Sequence, residues 1–377
     1  MAPDWTGQKW KWWLIIWADI SVRETEQGGL QMSIKSSMFA ACAMITSMMV
    51  TQVQAQSVRI VQTNSRGDNI HLIDPETQSI VGEITGVPVN HGVAAAPDGS
   101  RLYFSSEAKF TLDVVDTGSM EIISEIPLSG RPNNISIGKD GRYVYVGIMQ
   151  DPGGVDVIDT VALENVRHID TGSRVHNTYV TPDGLYLITS TFTGQNNLGV
   201  YSTETEELVF NLYPPRDDTT LEGVRPVAIE TREDGSTSRL FVQISDLHGF
   251  TVVDFDSRQE VARIELPSIP EEERAPGPYT RAPAHGIGVT PDMRTLWVCS
   301  RMNSRVYAYA LPSLEYIGEV EVGSHPDWVT FSPDSRFAYV ANGDSNDVSV
   351  IDIQGLTEVK RIPVGDAPKR NITLILE

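Results

Sequence analysis

Cysteine is nearly absent from this chain, which has two in 377 residues, Cys42 and Cys299. Cys42 lies in an apolar segment that we expect to be removed, so Cys299 would have no partner for an intramolecular disulfide. Its position in the apolar run 295–299 predicts a buried, unreactive thiol. A metal cluster held by cysteines is therefore excluded, and a chain of this length forms a stable core without disulfides.

Basic residues are also scarce, with 29 Lys and Arg against 50 Asp and Glu, which gives a net charge of −21. Nucleic-acid binding requires clustered Lys and Arg, and an anionic membrane surface likewise attracts basic segments. The sequence therefore predicts no nucleic-acid partner and, once the leader is removed, no membrane partner. We expect the partner to be a small molecule, in one interpretation anionic, or another protein.

Several catalytic and cofactor motifs are missing. The chain has no glycine-rich phosphate loop, nucleophile elbow, HExxH pair or EF-hand loop. It also has no CxxCH motif, so we expect no covalently attached haem. Any chemistry must come from residues that are distant in sequence and that the fold brings together.

Long apolar runs are limited to residues 38–50. Met32 and Lys35 precede this run and a Val-Gln-Ala segment ending at Ala55 follows it, which is typical of a secretory signal peptide. The run is too short to span a membrane. We therefore predict a signal peptide at 32–55, a single domain at 56–377 and a periplasmic or secreted bacterial protein. Residues 1–31 are interpreted as an upstream leader from a start site assigned too early; the alternative is a genuine membrane-anchoring leader.

A turn of the Pro-Asp-Gly type recurs along the rest of the chain. Its Asp residues are separated by 42, 43, 51, 58 and 42 positions, and stand at Asp98, Asp140, Asp183, Asp234, Asp292 and Asp334. An apolar strand with an aromatic residue follows each turn. A period of 40–45 residues with four strands is typical of β-propeller blades. Six turns predict six blades, and a seventh is predicted from strands at 57–63, 69–74 and 79–85 together with a first strand at 371–376.

The clearest repeat, residues 322–352, contains Tyr339-Val340-Ala341-Asn342 and resembles the YVTN-type propeller repeat. The resemblance implies an all-β, seven-bladed β-propeller of four-stranded antiparallel blades, closed by pairing the C-terminal strand with the N-terminal three strands. It relates the chain to lactonase-like and cytochrome d1-like propellers. It also implies that first strands line a central channel and that a site lies at the mouth opposite the Pro-Asp-Gly turns. Such a resemblance predicts fold rather than function.

Four histidines share related positions before the turns. The position seven residues before each turn Asp holds His91, Asn133, His176, Val227, His285 and Asp327. The position two residues earlier holds Val89, Arg131, Arg174, Arg225, Pro283 and His325. Because neutral imidazoles bind transition metals, we predict a Cu, Fe or Zn site formed by His91, His176, His285 and His325. The alternative is that these rings cap strands or bind neighbouring backbone.

The remaining candidates surround this predicted site. Arg131, Arg174 and Arg225 are predicted to bind a carboxylate or phosphate of the substrate, or alternatively to bridge adjacent blades. Asn133 and Asp327 are predicted as further ligands or orienting groups.

Loops on the same face supply further candidates. His248 is a candidate acid or base, or else an ordinary loop histidine. Two long insertions, 212–224 and 267–284, belong to this face, and the second would bring Tyr279 and Arg281 over the mouth as a lid unless it is only a flexible decoration.

Three functions are consistent with these patterns. The first is an exported metal-dependent lyase, hydrolase or oxidoreductase. The second is a non-catalytic binding or scaffold propeller of a periplasmic complex. The third is a lactonase-like enzyme without a metal.

Overall fold

The computed structural model describes residues 57–191, 198–211, 223–275 and 282–376. The predicted leader and signal peptide, most of the insertion at 212–224, and the predicted lid residues Tyr279 and Arg281 lie outside these ranges. No helix within them is long and apolar enough to cross a membrane. A short 3₁₀ helix spans Glu271–Glu273, and the other elements are strands.

Twenty-eight strands form seven four-stranded sheets in the described residues. The strands of the ends are β1 Ser57–Asn64, β2 Asn69–Asp74, β3 Ser79–Thr85 and, at the C terminus, β28 Pro368–Leu376. Blades 1 and 2 contain β4 Asn90–Ala95, β5 Arg101–Ser106, β6 Thr111–Asp116, β7 Glu121–Pro127, β8 Pro132–Ile137, β9 Tyr143–Ile148, β10 Gly154–Asp159 and β11 Glu164–Ile169.

The remaining blades repeat the same order. Blades 3 and 4 contain β12 Val175–Val180, β13 Tyr186–Thr191, β14 Leu198–Ser202, β15 Leu208–Asn211, β16 Val224–Thr231, β17 Thr237–Ile244, β18 Gly249–Asp254 and β19 Gln259–Glu265. Blades 5 and 6 contain β20 Ala284–Val289, β21 Thr295–Ser300, β22 Arg305–Ala310, β23 Tyr316–Glu321, β24 Pro326–Phe331, β25 Phe337–Asn342, β26 Asp347–Asp352 and β27 Thr357–Pro363.

Hydrophobic patterning decides where each strand lies in its blade. Second strands such as β21 are apolar on both faces, so Trp297 and Cys299 pack toward blade 6 whereas Leu296 and Val298 pack toward blade 4. Fourth strands such as β19 alternate exposed and half-buried residues and form the outer edge. Each fully buried large apolar side chain stabilises the fold by about 2 kcal/mol. Burial also raises the pKa of the Cys299 thiol, which confirms the predicted buried, unreactive cysteine.

First strands form the inner wall of a closed ring. Each first strand contacts the next, in the order β4, β8, β12, β16, β20, β24, β28 and back to β4. The seventh sheet has the order β28-β1-β2-β3, with Ser57 opposite Leu376 and Asn64 opposite Pro368. The predicted seven-bladed propeller, closed by pairing the C-terminal strand with the N-terminal three strands, is confirmed.

The Pro-Asp-Gly turns lie at one end of the first strands. In blade 1 the Asp98 carboxylate accepts hydrogen bonds from the backbone and hydroxyl of Ser100, which fixes the turn. Gly99 has φ of +71°, and a Cβ there would lie 2.3 Å from the carbonyl oxygen of Ile375 in the neighbouring blade. Glycine is therefore required at this turn both by its backbone conformation and by the close approach of β28.

Candidate functional site

A β-bulge interrupts the start of every first strand. In blade 1 the pairing between β4 and β5 shifts between Asn90 and Val93, and the other six blades show equivalent shifts. Bulges re-aim side chains and recur beside functional sites. The residue directly after the first paired position of each strand forms what we call the mouth ring: His91, Asn133, His176, Arg225, His285, Asp327 and Lys369.

Arg225, rather than Val227, is the member of the mouth ring from blade 4. Val224 pairs with Ile244 as Val175 pairs with Thr191 in blade 3, so Arg225 is equivalent to His176. Counting back from the turn Asp misplaces blade 4 by two residues, because β16 contains a further register shift between Glu230 and Thr231. Arg225 is buried, and its Nε donates to the Ser245 hydroxyl at 2.8 Å.

Positive charge is concentrated at this mouth, although the chain as a whole is strongly acidic. The basic side chains on or next to the ring are Arg131, Arg174, Arg225, Arg301, Lys369 and Arg370. Among the described residues their carboxylate partners in ion pairs are Glu107, Asp151 and Asp327. Six basic side chains thus lie at one end of the channel, and such a concentration of positive charge attracts negatively charged ligands.

Asp327 is the centre of the charged network. It is buried, its Oδ1 accepts hydrogen bonds from Arg301, and its Oδ2 accepts one from Lys369 Nζ at 2.8 Å. Burial opposes ionisation of Asp327, but the charges of Arg301 and Lys369 outweigh it and hold the pKa of Asp327 well below its usual range. Burial lowers the pKa of Lys369 to about 8. Asp327 therefore contacts the side chains of Arg301 and Lys369. Its predicted role as a ligand or orienting group of the site stays a prediction.

His176 and His285 are neighbours within the mouth ring. Their ring centroids lie 5.7 Å apart in an edge-to-face arrangement, and Nδ1 of His285 donates to the Asp327 carbonyl at 3.0 Å. Burial lowers the pKa of both imidazoles well below the usual value. Arg370 and Arg225 reinforce this effect at His176, and Arg301 does so at His285. Both rings are therefore neutral at physiological pH.

His91 forms a pair with Glu107, which follows the second strand of blade 1. Nδ1 of His91 hydrogen-bonds to the Glu107 carboxylate, and Nε2 is buried without a hydrogen-bond partner. Burial lowers the pKa of His91 despite the opposing effect of Glu107. Burial would raise the pKa of Glu107, but its bond to His91 and the charge of Arg131 lower it. The pair is thus a neutral imidazole with Nδ1–H oriented by a carboxylate and Nε2 available as a proton acceptor.

The four predicted metal ligands do not share one geometry. His325 lies between two carboxylates, with Nε2 3.4 Å from Asp327 Oδ1 and Nδ1 3.4 Å from Asp344 Oδ2. Within the described ranges, no three His, Cys, Asp or Glu side chains are close enough together to hold a metal ion. The structure brings His176 and His285 together and engages His91 and His325 with separate carboxylates. Metal binding by the four histidines stays a prediction.

Other predicted site residues have varied surroundings. Asn133 is a buried member of the mouth ring, whereas Arg131 and Arg174 are partly exposed, with Arg131 3.6 Å from Glu107 and Arg174 3.4 Å from Asp151. His248 Nε2 lies 2.8 Å from the Ser300 hydroxyl, and burial lowers its pKa to about 4. Their predicted roles in binding and catalysis stay predictions, as does that of Tyr279, which lies outside the described residues.

Sequence reasoning did not identify Glu107, Arg301, Lys369 or Arg370. Glu107 and Arg301 occupy the same position, directly after the second strand of blades 1 and 5. Lys369 and Arg370 lie in blade 7, which has no turn Asp from which to count. An alignment of β28 with residues 323–331, anchored on Gly365 and Pro368, would have shown that Lys369 is the repeat equivalent of Asp327.

Below the mouth ring, the channel contains a cavity of about 230 Å³. Its lining residues follow the ring residues by one to four positions along the first strands: Val93, Asn134, Ile135, Ser136, Ile137, Thr178, Tyr179, Val180, Ile229, Trp328, Arg370, Asn371 and Ile372. The mouth ring and the cavity are thus two successive levels of one channel, with Arg370 and Trp328 between them. The Arg370 guanidinium carbon lies 3.8 Å from the Trp328 ring centroid.

Solved structures with the same fold bind and transform different molecules. The chain is similar to Kuenenia stuttgartiensis hydrazine synthase, with 23% identity, a TM-score of 0.65 and coverage of 78% of this chain and 91% of that one. It is similar to Pseudomonas aeruginosa periplasmic gluconolactonase, PpgL, with 20% identity, a TM-score of 0.66 and coverage of 85% and 100%. It is also similar to the dihydro-heme d1 dehydrogenase NirN, with 18% identity, a TM-score of 0.58 and coverage of 81% and 63%. At these identities the similarity shows the fold alone.

Family models give a more specific result. No curated protein matches the chain at a significant level. The model described as "Cytochrome D1 heme domain" matches residues 55–183, about a third of the chain. The model described as "Lactonase, 7-bladed beta-propeller" matches residues 155–365, more than half of it. Together with the seven closed blades, this match shows that the chain belongs to the seven-bladed β-propeller lactonase family.

Proposed function

We propose that this protein is exported and binds a small anionic ligand, with a carboxylate or phosphate group, at the mouth ring. The observation that carries the proposal is the concentration of cations at one end of the channel in a chain of net charge −21. Arg225, Arg301 and Lys369 lie on or next to the ring, and low-dielectric surroundings strengthen their attraction for an anion.

A lactonase-like reaction is the catalytic form of this proposal. In such a reaction water attacks the lactone carbonyl, the ring C–O bond breaks, and a hydroxy-carboxylate forms. His91 would accept the proton of the water at Nε2 and return it to the ring oxygen as the C–O bond breaks, because Glu107 holds Nδ1–H and so fixes the tautomer. The cations of the mouth ring would stabilise the oxyanion and the carboxylate product. The family membership and the periplasmic gluconolactonase among similar structures support this substrate class.

The test measures ligand binding and hydrolysis by the processed, exported protein. Isothermal titration with gluconate and inorganic phosphate, and a pH-stat assay with a sugar lactone, are compared among the wild type, Lys369→Gln and Arg131→Gln. Both substitutions should weaken anion binding at least about tenfold, since each removes one charge from the mouth. Lys139→Gln, an exposed change beside a Pro-Asp-Gly turn, is the matched control and should have no effect.

The outcomes separate the alternatives. Anion binding without hydrolysis supports the non-catalytic binding or scaffold function. Absence of binding, or equal losses in Lys139→Gln and Lys369→Gln, would overturn the mouth-ring proposal. A wild-type rate of lactone hydrolysis in His91→Gln would exclude His91 as the base and would leave the binding proposal intact.

A transition-metal site is the second candidate function. Two neutral imidazoles in edge-to-face contact, His176 and His285, favour it. The nearby charges of Arg225, Lys369 and Arg370 disfavour a divalent cation, which is why the anion comes first. Stoichiometric Cu, Fe or Zn in the purified protein, lost in His176→Ala, would support a metal site.

A haem fits the described residues poorly. His176 and His285 are buried against each other, and the channel cavity of about 230 Å³ is below the roughly 300–1,000 Å³ typical of cofactor pockets. The proposed reaction therefore uses no haem.

Export rests on the signal-peptide pattern at residues 32–55. The periplasmic gluconolactonase among similar structures is consistent with it. N-terminal sequencing of the exported protein should begin at Gln56, and recovery of Trp10 or Trp17 in that protein would contradict this interpretation.

A further inference from the structure

The channel cavity is separate from the mouth ring. Its volume is about 230 Å³. None of its described lining residues belongs to the ring, and six of the thirteen are aliphatic: Val93, Ile135, Ile137, Val180, Ile229 and Ile372. Its far end is formed by the last residues of first strands before the Pro-Asp-Gly turns.

Arg370 places a charged group at the end of this cavity that is nearest the mouth ring. The side chain is 1% exposed, and its Nη2 donates to Asn177 Oδ1 at 3.2 Å. Its Nε and Nη1 are buried without a hydrogen-bond partner. Among the residues described, no carboxylate forms an ion pair with it. Burial lowers the pKa of Arg370 to about 10, so the guanidinium is charged at physiological pH.

This arrangement leaves a buried cation incompletely compensated. The Trp328 ring face supplies a cation–π contact. The backbone N–H of Arg370 donates to the Thr63 hydroxyl, and its carbonyl accepts from the Gln62 side-chain amide. Buried charges in proteins are nearly always paired, because removing a charge from water without a partner is strongly unfavourable. An anion in the cavity would accept hydrogen bonds from Nε and Nη1 of Arg370 and would also neutralise its positive charge. A water molecule would accept the hydrogen bonds but leave the charge uncompensated.

We propose that the channel cavity binds a small aliphatic carboxylate, with its head group on Arg370 and its chain against Ile135, Ile137 and Ile372. The carboxylate accepts hydrogen bonds from the buried N–H groups. The aliphatic side chains of the wall pack against the hydrocarbon chain of the ligand. This site is distinct from the mouth ring and does not depend on its function.

The experiment compares butyrate with butyramide, which has a similar shape but no charge, by isothermal titration on the processed protein. Butyrate should bind at least tenfold more tightly than butyramide. Arg370→Gln should reduce butyrate affinity at least tenfold. Lys139→Gln, outside both the mouth ring and the cavity, should leave it unchanged.

A second variant tests the proposal independently, in case Arg370→Gln fails to fold. Ile137→Phe fills the far end of the cavity and leaves Arg370 in place, so it should also reduce butyrate affinity at least tenfold. Equal binding of butyrate and butyramide would overturn the proposal. So would a loss of butyrate affinity in Arg131→Gln with retention in Ile137→Phe, because butyrate would then bind at the mouth.

Discussion

At the scale of single residues, the charge of Lys369 depends on its position beside Asp327 and inside the ring. Burial lowers its pKa from 10.5 to about 8. Asp327 and Arg370 keep their charges around that pH, since the pKa of Asp327 is held low and that of Arg370 is about 10. Lys369 is thus the residue of the charged network that changes state near pH 8.

Anion affinity at the mouth should therefore fall as pH rises through about 8. Titrations of gluconate between pH 6.5 and 9.5 should show this loss in the wild type and a flatter profile in Lys369→Arg, whose guanidinium stays charged. Folding stability should change in the opposite direction. Between pH 8 and 10.5 the unfolded chain binds the Lys369 proton more tightly than the folded chain, so the free energy of unfolding rises with pH in this range. An affinity that does not vary with pH in the wild type would contradict this assignment.

Two turn glycines provide a second residue-scale test. Gly99 and Gly235 have similar φ angles, +71° and +84°, but a Cβ meets the Ile375 carbonyl only in the first case. Gly235→Ala should cost about 1 kcal/mol for the left-handed backbone alone. Gly99→Ala should cost about 1–3 kcal/mol more through the clash. Urea unfolding measures both, and equal costs would contradict the close approach of β28 to blade 1.

At the scale of elements, the bulged first strand explains which parts of the site the sequence could predict. His91, Asn133, His176, His285 and Asp327 were predicted at one register because their blades keep a fixed distance between bulge and turn. In blade 4 a second register shift within β16 changes this distance by two residues. The spacing therefore predicts Arg225 two positions before the mouth-ring position that it occupies. Register shifts depend on how a strand pairs and packs, which single-sequence spacing does not reveal.

The closing strand β28 gives the element-scale prediction. Deleting residues 371–377 removes the partners of Ser57–Gln62 and the buried Leu374, so the melting temperature should fall by more than about 10 °C. Leu374→Ala should be clearly destabilising and the neighbouring Ile375→Ala, 42% exposed, nearly neutral. A truncated protein that melts like the full chain would show that β28 does not close the ring.

At the scale of the whole molecule, the closed ring should pack in the same way wherever the chain begins and ends within blade 7. Ser57 and Leu376 are paired neighbours on antiparallel strands. A permuted chain with residues 366–376, an Asn-Gly linker and residues 57–365 would form blade 7 from one continuous segment. It should fold with the same circular dichroism and melt within about 5 °C of the unpermuted 57–376 chain. An unfolded permutant would contradict this account of closure.

The sequence by itself determined the repeat, the seven blades and their closure, because local turn chemistry and alternating hydrophobicity recur with a nearly constant period. It also indicated the histidines of the mouth. Only the tertiary structure joined Glu107 to His91, surrounded Asp327 with Arg301 and Lys369, and buried Arg370 above a cavity. The contacts of Asp327 connect different blades, whereas that of His91 connects two strands of one blade. Their distances are set by how the strands pair and converge on one axis, a geometry that no local pattern along the chain records.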